Sequence, residues 1–201
     1  MIWFTSDYHL NHFNIIRYCN RPFKTSKEMD ERIISNHNEI VAPNDEVYFL
    51  GDFQFGGDHE RYYPRMNGVF TFIQGNHDRS RPFRSRQGFI LKNINGFKVL
   101  MCHWPKYVRD FDDLKKQADI LVCGHIHEKG RFIIWNGYDL LINVGVDVWE
   151  FKPVTFNEII KIYPKRENRE SWILEMRSKS PKEIFENSSS YDKLEKDNEF
   201  I

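Results

Sequence analysis

The sequence predicts an α/β fold, because short apolar segments alternate with helical patterns along the chain. The early segments MIWFTS, EVYFLG and FTFIQG are typical of buried strands. Between the first two, SKEMDERIISNHNEIV repeats apolar residues at helical spacing behind a predicted cap at Ser26. Strands that alternate with helices indicate an α/β architecture.

The later segments continue this pattern and close the fold with strands. FKVLMC and DILVCG are strand candidates, and RDFDDLKKQA between them is a short helix candidate. RFIIWN and LLINVG flank GYD, which predicts a hairpin. We expect one domain over residues 1–160. Residues 161–201 form a charged C-terminal extension, partly helical, with a short helix predicted behind Ser180.

Composition limits the classes of protein that this chain fits. Its 201 residues carry a formal net charge of +0, so no overall field attracts nucleic acid or an anionic membrane. Three cysteines without C-x-x-C spacing argue against a disulfide framework and favour a reducing compartment. The apolar start is too short for a signal peptide, and no segment is long enough to span a bilayer. We therefore expect a cytoplasmic protein.

Polar side chains follow the strand candidates at the same end of each strand. In open α/β sheets the carboxyl ends of the strands form the ligand crevice. Residues two apart in an extended chain face the same way, so a pair such as His125 and His127 can point into one crevice. The side chains expected to converge there are Asp7, His9, Asp52, Asn76, His77, Asp78, His103, His125 and His127.

This set of donors indicates a metal site. Imidazole, carboxylate and amide groups suit divalent Zn, Mn, Fe or Ni. One tetrahedral zinc takes four protein ligands at most, so the set is about right for two ions. Two ions roughly 3.5–4 Å apart favour displacement at phosphorus, with bound water that becomes hydroxide near neutral pH. Taken alone, His125 and His127 also fit a structural zinc half-site, and Gly75 to Asp78 fits a plain turn.

In this order the motifs resemble those of the calcineurin-like metallophosphoesterases. The series is Asp7-x-His9, Gly51-Asp52, Gly75-Asn76-His77-Asp78, His103 and Gly124-His125-x-His127. The surrounding SDYHLNHFNIIRYCNRPF, VYFLGDF and NVGVDVW are similar to a subgroup of small bacterial and phage members. The resemblance implies a four-layer αββα sandwich, with two mixed β-sheets flanked by helices, and a metallophosphoesterase domain over residues 1–160.

The resemblance also implies a role for each motif residue. Asp52 would bridge two metals, and His77 would face the substrate and stabilise or protonate the leaving oxygen as general acid. Asp78 adjoins His77 and is a candidate orienting partner, although its carboxylate has room to point elsewhere. The resemblance assigns the first metal to Asp7, His9 and His127, and the second to Asn76, His103 and His125.

The sequence departs from the family pattern after the second motif. In GDFQFGG no acidic residue or Asn follows Asp52, and the Arg of the protein-phosphatase branch is missing, which argues against a protein phosphatase. Guanidinium groups fit phosphate oxygens, so we also consider basic residues near the motifs. The candidate substrate contacts are His12, Arg21, Arg79 and Arg81. The alternative for His12 and Arg21 is a role in helix capping or a plain surface position. The alternative for Arg79 and Arg81 is a place in a solvated loop.

We predict a dinuclear-metal-dependent hydrolase of phosphoester bonds, with a metal-bridging hydroxide as nucleophile and a phosphodiester as substrate. The alternatives are a phosphomonoesterase acting on a small anionic substrate and a non-catalytic binding module on the same fold. The expected partner is a phosphoester, with a nucleotide as one option and no membrane. A nucleic-acid-binding zinc protein would need a basic face, and the sequence offers only the Arg cluster after Asp78.

Overall fold

Two mixed β-sheets form the centre of the structure. The computed structural model describes residues 1–56, 61–78, 88–136, 139–164 and 168–178. The first sheet contains β1 (Ile2–Thr5), β2 (Glu46–Phe49), β3 (Val69–Phe72) and β9 (Val154–Thr155), in the order β3-β2-β1-β9. β1, β2 and β3 run parallel, and β9 pairs with β1 in the antiparallel direction.

The second sheet has five strands and also contains both parallel and antiparallel pairs. It contains β4 (Phe89–Ile94), β5 (Phe97–Cys102), β6 (Ile120–Cys123), β7 (Phe132–Trp135) and β8 (Asp139–Asn143), in the order β4-β5-β6-β8-β7. The three central strands are parallel, whereas β4 and β7 are antiparallel edge strands. The hairpin expected around GYD is the β7–β8 pair, so that prediction is confirmed.

Five helices lie within the described residues: α1 (Phe13–Tyr18), α2 (Ser26–Ile40), α3 (Phe111–Lys115), α4 (Phe156–Ile162) and α5 (Arg169–Ser178). The cap of α2 is Thr25, one residue before the predicted Ser26, because the Thr25 hydroxyl accepts the Glu28 N–H at 3.1 Å. α4 begins with a capping box between Thr155 and Glu158.

Side chains along each strand point alternately to the two faces of the sheet, and helices cover the outer faces. In β5, Val99 and Met101 join the core between the sheets, whereas Leu100 and Cys102 face the layer that contains α3. On the first sheet, α2 covers the opposite face with Met29, Ile33 and Ile34. The layers are therefore helix, sheet, sheet and helix, which confirms the predicted α/β class with two mixed sheets flanked by helices.

The carboxyl ends of the parallel strands meet at one edge of the sandwich. Within each sheet, parallel pairing aligns these ends. Between the sheets, an isolated parallel bridge joins Ser6, after β1, to Gly145, after β8. The Val146 N–H also donates to the Ser6 carbonyl at 3.2 Å. The loops after the strands of both sheets are thereby brought to a common place.

Part of the predicted C-terminal extension contacts the domain. Ile173 of α5 is buried in the core between the sheets, and Arg169 donates to the Asp119 carbonyl at 2.5 Å. The boundary expected near residue 160 stays a prediction, and the helix expected behind Ser180 lies outside the described residues. The described helices include none with the length and apolar character that crossing a bilayer requires.

Candidate metal centre

Asp7, His9 and His127 form the first of two ligand groups. Their ligand atoms all lie within 4.8 Å of one another. Asp7 Oδ1 and His9 Nε2 are buried, and neither has a hydrogen-bond partner in the part of the chain that the structure describes. Buried polar atoms are normally paired, so two that face the same point fit a bound cation. The residues present therefore fit a metal ion.

The other oxygen of Asp7 is held by its neighbours. Asp7 Oδ2 accepts the Ser6 hydroxyl at 2.5 Å and the His125 N–H at 2.9 Å. A Cβ on Gly124 would lie 2.3 Å from Ser6 Oγ and 2.6 Å from Asp7 Oδ2, so only glycine allows this approach. Burial raises the pKa of Asp7, and a cation beside Oδ1 would offset that effect.

The second ligand group combines a carboxylate, an amide and two imidazoles. Atoms of Asp52, His103 and His125 lie within 4.8 Å of one another. Asn76 Oδ1 is 3.0 Å from His103 Nε2 and 3.1 Å from His125 Nδ1. On its other side, His103 Nδ1 is 2.7 Å from the Leu50 carbonyl, which orients the ring so that Nε2 faces the group.

Asp52, a member of the second group, also lies close to the first. Its Oδ2 atom lies 3.4 Å from His9 Nε2 and 3.4 Å from His103 Nε2. Its Oδ1 atom accepts the His77 N–H at 2.9 Å, and a Cβ on Gly75 would lie 2.1 Å from that oxygen. Burial opposes ionisation of Asp52, but the surrounding imidazoles, His103 foremost, hold its pKa well below the usual range.

Asp147 orients His127 and is not among the predicted site residues. His127 Nδ1 is 3.0 Å from Asp147 Oδ2, while His127 Nε2 lies 4.0 Å from Asp7 Oδ1. A carboxylate behind a metal-binding imidazole fixes the ring and its tautomer. Asp147 follows β8 as the other motif residues follow their strands, and that position in NVGVDVW was the signal available in the sequence.

Arg21 holds Asp147 in place. Its Nε and Nη2 donate to the two oxygens of Asp147 at 2.7 and 2.8 Å. Burial opposes ionisation of Asp147, but the guanidinium outweighs burial and lowers the pKa of Asp147 to about 2. Cys19, His127 and Asp147 also lie within 4.8 Å of one another, yet the adjacent Arg21 charge disfavours a cation there.

The contacts of Arg21 do not support the predicted phosphate contact. The remaining donors reach the Tyr8 carbonyl at 2.9 Å, the Asp7 carbonyl at 2.7 Å and Met29 Sδ at 3.3 Å. An arginine has five N–H groups, and all of them have a partner here. Arg21 is therefore a buried positioning residue beneath the loop that carries Asp7.

Asp78 supports the loops rather than the His77 ring. Its carboxylate accepts the backbone N–H groups of Asp52 at 2.7 Å, Phe53 at 3.0 Å and Gly75 at 2.8 Å. Burial and the nearby Asp52 charge raise the pKa of Asp78 to about 6. These contacts connect the loop after β2 with the loop after β3. Both carboxylate oxygens are engaged in these contacts, which do not support the expected role of Asp78 as the orienting partner of His77.

The other candidate substrate contacts differ in their placement. His12 is buried beside the first group, with its Nδ1 3.5 Å from His9 Nδ1 and its ring stacked on Phe55 at 4.1 Å. Arg79 and Arg81 lie outside the described residues. Nothing in the structure therefore bears on the phosphate contacts expected from these two arginines.

His77 lines the cleft without joining either ligand group. The cleft has a volume of about 100 Å³, and its walls include Asp52, Asn76 and His77. The His77 ring lies 5.2 Å from the His9 ring, centroid to centroid. Burial lowers the pKa of His77, and the Asp52 carboxylate opposes that effect. The partly exposed ring can therefore reach a molecule that occupies the cleft.

Several of the candidate ligands have a strained backbone conformation. Positive φ angles occur at Asp7 (60°), His9 (49°), Asp52 (60°), His125 (77°) and His127 (50°). The left-handed conformation costs about 1–2 kcal/mol for a residue with a Cβ. Strain of this kind clusters at functional sites, where the surrounding structure maintains it. The backbone therefore supports a functional role independently of the side-chain chemistry.

Comparison with known sequences identifies the family. The profile of the calcineurin-like phosphoesterase superfamily domain matches residues 1–155. The chain belongs to the calcineurin-like phosphoesterase superfamily. The prediction from the motifs is thereby confirmed, and membership supports a metal-dependent phosphoesterase activity in general terms.

The chain is also similar to individual proteins. Uncharacterized protein MJ1445 of Methanocaldococcus jannaschii is 35% identical over 172 residues, which covers 82% of this chain and 92% of that protein. Gene 66 protein of Mycobacterium phage D29 is 26% identical over 74% of this chain and 88% of its own length. The crystal structure of the protein of unknown function AQ665 from Aquifex aeolicus superposes with a TM-score of 0.61 at 25% identity, covering 81% of this chain and 98% of that one.

Replacement of Asp147 tests its role behind His127. We expect Asp147→Asn to weaken Mn²⁺ binding by about 10–100-fold, because the His127 ring loses its charged partner. Isothermal titration calorimetry measures the affinity, and circular dichroism verifies folding. Asp113→Asn, which removes an exposed carboxylate from α3, is the matched control. Unchanged affinity in a folded Asp147→Asn protein would contradict the assigned role.

Proposed function

We propose that this protein is a phosphodiesterase that uses two divalent metal ions. The observation that carries the proposal is the position of Asp52 Oδ2, 3.4 Å from an imidazole nitrogen of each ligand group. A carboxylate oxygen placed in this way suits a ligand shared by two ions. The first ion would be held by Asp7, His9 and His127, and the second by Asn76, His103 and His125.

The chemistry divides between the ions and the protein. Divalent ions in such a site supply Lewis acidity toward phosphoryl oxygens and make water more acidic. The protein fixes the ligands through their outer contacts, such as those of His103 with the Leu50 carbonyl and of His127 with Asp147. Pre-positioned ligands need little rearrangement, so the charge of the site is in place before the substrate arrives.

His77 is the candidate proton donor to the leaving oxygen. Its backbone N–H binds Asp52 Oδ1, which keeps the residue beside the shared carboxylate. Its ring is partly exposed in the cleft and has no place in the two ligand groups. An anionic substrate favours the protonated imidazole, because an opposite charge nearby raises the pKa of a histidine. This arrangement supports the general-acid role implied by the sequence.

The charges around the cleft favour a diester over a monoester. A monoester dianion carries one more negative charge than a diester and benefits more from cationic side chains. Among the described residues that line the cleft, Lys129 is the one lysine or arginine, and Glu128 precedes it. The Arg21 charge is already paired with Asp147. A small anionic monoester remains the alternative substrate, and Arg79 or Arg81 would have to supply the missing charge.

A non-catalytic binding module on the same fold is the second alternative. Such a module has no need for complete ligand groups or for a backbone strained at its ligands. In this chain each group brings together three side chains that could hold a metal, and Asp7 Oδ1 and His9 Nε2 of the first group are buried without a hydrogen-bond partner among the described residues. These features support catalysis as the role of the site.

The Asp52→Asn variant tests the dinuclear proposal. We expect its activity to fall by orders of magnitude and its metal content to drop at both positions, since the amide lacks the charge of the shared carboxylate. Elemental analysis of protein loaded with Mn²⁺ gives the number of ions per chain. One ion per wild-type chain, together with an active mutant, would refute the two-metal assignment.

A pair of histidine variants separates metal binding from proton donation. We expect His77→Ala to retain wild-type metal content while turnover falls by about 10²–10⁴-fold, as is typical for loss of a general acid. His103→Ala should instead lose metal, because its Nε2 belongs to the second group. Metal analysis and steady-state kinetics on both proteins make the comparison. Equal loss of metal in both variants would overturn this division of roles.

A substrate comparison tests the diesterase assignment. With Mn²⁺, we expect a higher kcat/KM for bis-p-nitrophenyl phosphate than for p-nitrophenyl phosphate, because few described cations face the cleft. The Arg79→Ala and Arg81→Ala variants are assayed in parallel. A wild-type preference for the monoester that either variant abolishes would establish a monoesterase with arginine contacts.

A further inference from the structure

Three exposed aromatic rings surround the candidate metal centre. Tyr18 is 51% exposed, Phe55 is 45% exposed and Tyr107 is 53% exposed. Each ring lies close to a histidine of the site, with centroid distances of 6.4 Å from Tyr18 to His12, 4.1 Å from Phe55 to His12, and 5.6 Å from Tyr107 to His125. Large apolar surfaces that stay in water at a polar site commonly bind a ligand.

Phe55 lies beside His77, the candidate proton donor to the leaving oxygen. Its ring is stacked on His12 at an interplanar angle of 12°, and its centroid is 5.9 Å from that of His77. Because His12 covers one face and nearly half of the side chain is exposed, the other face is open to a ligand. A group that accepts a proton from His77 therefore leaves past the open face of Phe55.

Tyr107 lies beside the second ligand group. It lines the cleft together with Asn76 and His125. Its ring is nearly parallel to that of His103, with an interplanar angle of 9° and a centroid distance of 6.4 Å. A phosphoryl group near Asp52 would thus have one exposed ring beside each ligand group. Rings on both sides favour a diester with a planar substituent on each side of the phosphorus.

The chemical groups that line the cleft beside the rings indicate which class of planar ligand would bind there. Apart from Ile15 and Cys19, the residues of this lining carry imidazole, carboxylate, amide, phenol and ammonium groups. An alkyl chain would leave these polar groups without partners, whereas a sugar offers hydroxyls to them. Aromatic rings stack on nucleobases with little dependence on the base, and a nucleoside joins such a base to a sugar.

We propose that the substrate is a phosphodiester between two nucleosides, with the leaving nucleoside stacked on Phe55 and the retained one on Tyr107. The inference rests on the phosphodiesterase function proposed above. In the reaction, the water oxygen forms a bond to phosphorus and gives up a proton to the solvent, and the bond from phosphorus to the leaving oxygen breaks. That oxygen takes a proton from His77, so the products are a nucleoside and a nucleoside monophosphate.

A binding experiment tests the rings without requiring turnover. Adenosine 5′-monophosphate and ribose 5-phosphate differ only in the base, and calorimetry compares their affinities for the full-length protein loaded with Mn²⁺. Stacking of one base predicts about 5- to 150-fold tighter binding of the nucleotide. We expect the double variant Phe55→Ala/Tyr107→Ala to reduce this ratio to about two-fold or less, since the stacking is then lost.

Phe97→Ala is the matched control for this experiment. Phe97 is 40% exposed but lies at the start of β5, away from the carboxyl ends of the strands. We expect this variant to keep the wild-type preference for the nucleotide. Equal affinities of the wild-type protein for the two ligands would overturn the inference, whether or not the protein hydrolyses diesters.

A kinetic experiment then assigns Phe55 to the leaving side. A dinucleotide is compared with the same diester lacking the base on its leaving nucleoside. We expect wild type to prefer the intact dinucleotide in kcat/KM by about 5- to 150-fold, and Phe55→Ala to lose the preference while Phe55→Trp retains it. Equal hydrolysis of both compounds by wild type would overturn the assignment of Phe55. If Mn²⁺-loaded wild type hydrolyses no phosphoester, the proposed function is wrong. The binding experiment alone then tests whether the aromatic rings bind a nucleobase.

Discussion

The position of the Asp52 carboxylate is the constraint on which the rest of the centre depends. Its Oδ2 atom lies between His9, carried by the first sheet, and His103, carried by the second. A buried carboxylate is unfavourable unless charge or hydrogen bonds compensate it, so the two sheets have to meet closely at this point. The Ser6–Gly145 bridge and the close approach of Gly51 to the His103 ring provide that meeting.

Contacts behind the ligands give the centre its geometry. His103 has the Leu50 carbonyl behind it, His127 has Asp147, and Asp7 has the Ser6 hydroxyl. Each of these contacts occupies one polar atom of the ligand and leaves the other to face the cleft. The side chains are therefore oriented by the protein itself, and the positive φ angles at several ligands show that the fold maintains this orientation against local strain.

The sequence predicted which polar side chains come together better than it predicted what holds them in place. Apolar runs mark where strands end, and parallel strands bring those ends together, so the candidate ligands could be named from spacing. The contact of Arg21 with Asp147 joins residues 126 positions apart, and no local pattern reveals it. The backbone contacts of Asp78 depend on the conformation of a loop, so the direction of its side chain could not be predicted from the residue type. Thr25 caps α2 although Ser26 has an equally suitable hydroxyl, because only the backbone geometry separates the two.

The two ligand groups differ in formal charge, and this difference has a consequence for how ions enter. In the proposed two-metal centre Asp52 would be shared, and the first group holds a second carboxylate in Asp7, whereas the corresponding oxygen donor in the second group is the neutral amide of Asn76. A cation is attracted more strongly where the formal negative charge is larger. The positions would therefore fill one after the other, and a chain with a single ion in the first group would be the intermediate at low metal concentration. Metal supply in the cell could then set the fraction of active protein.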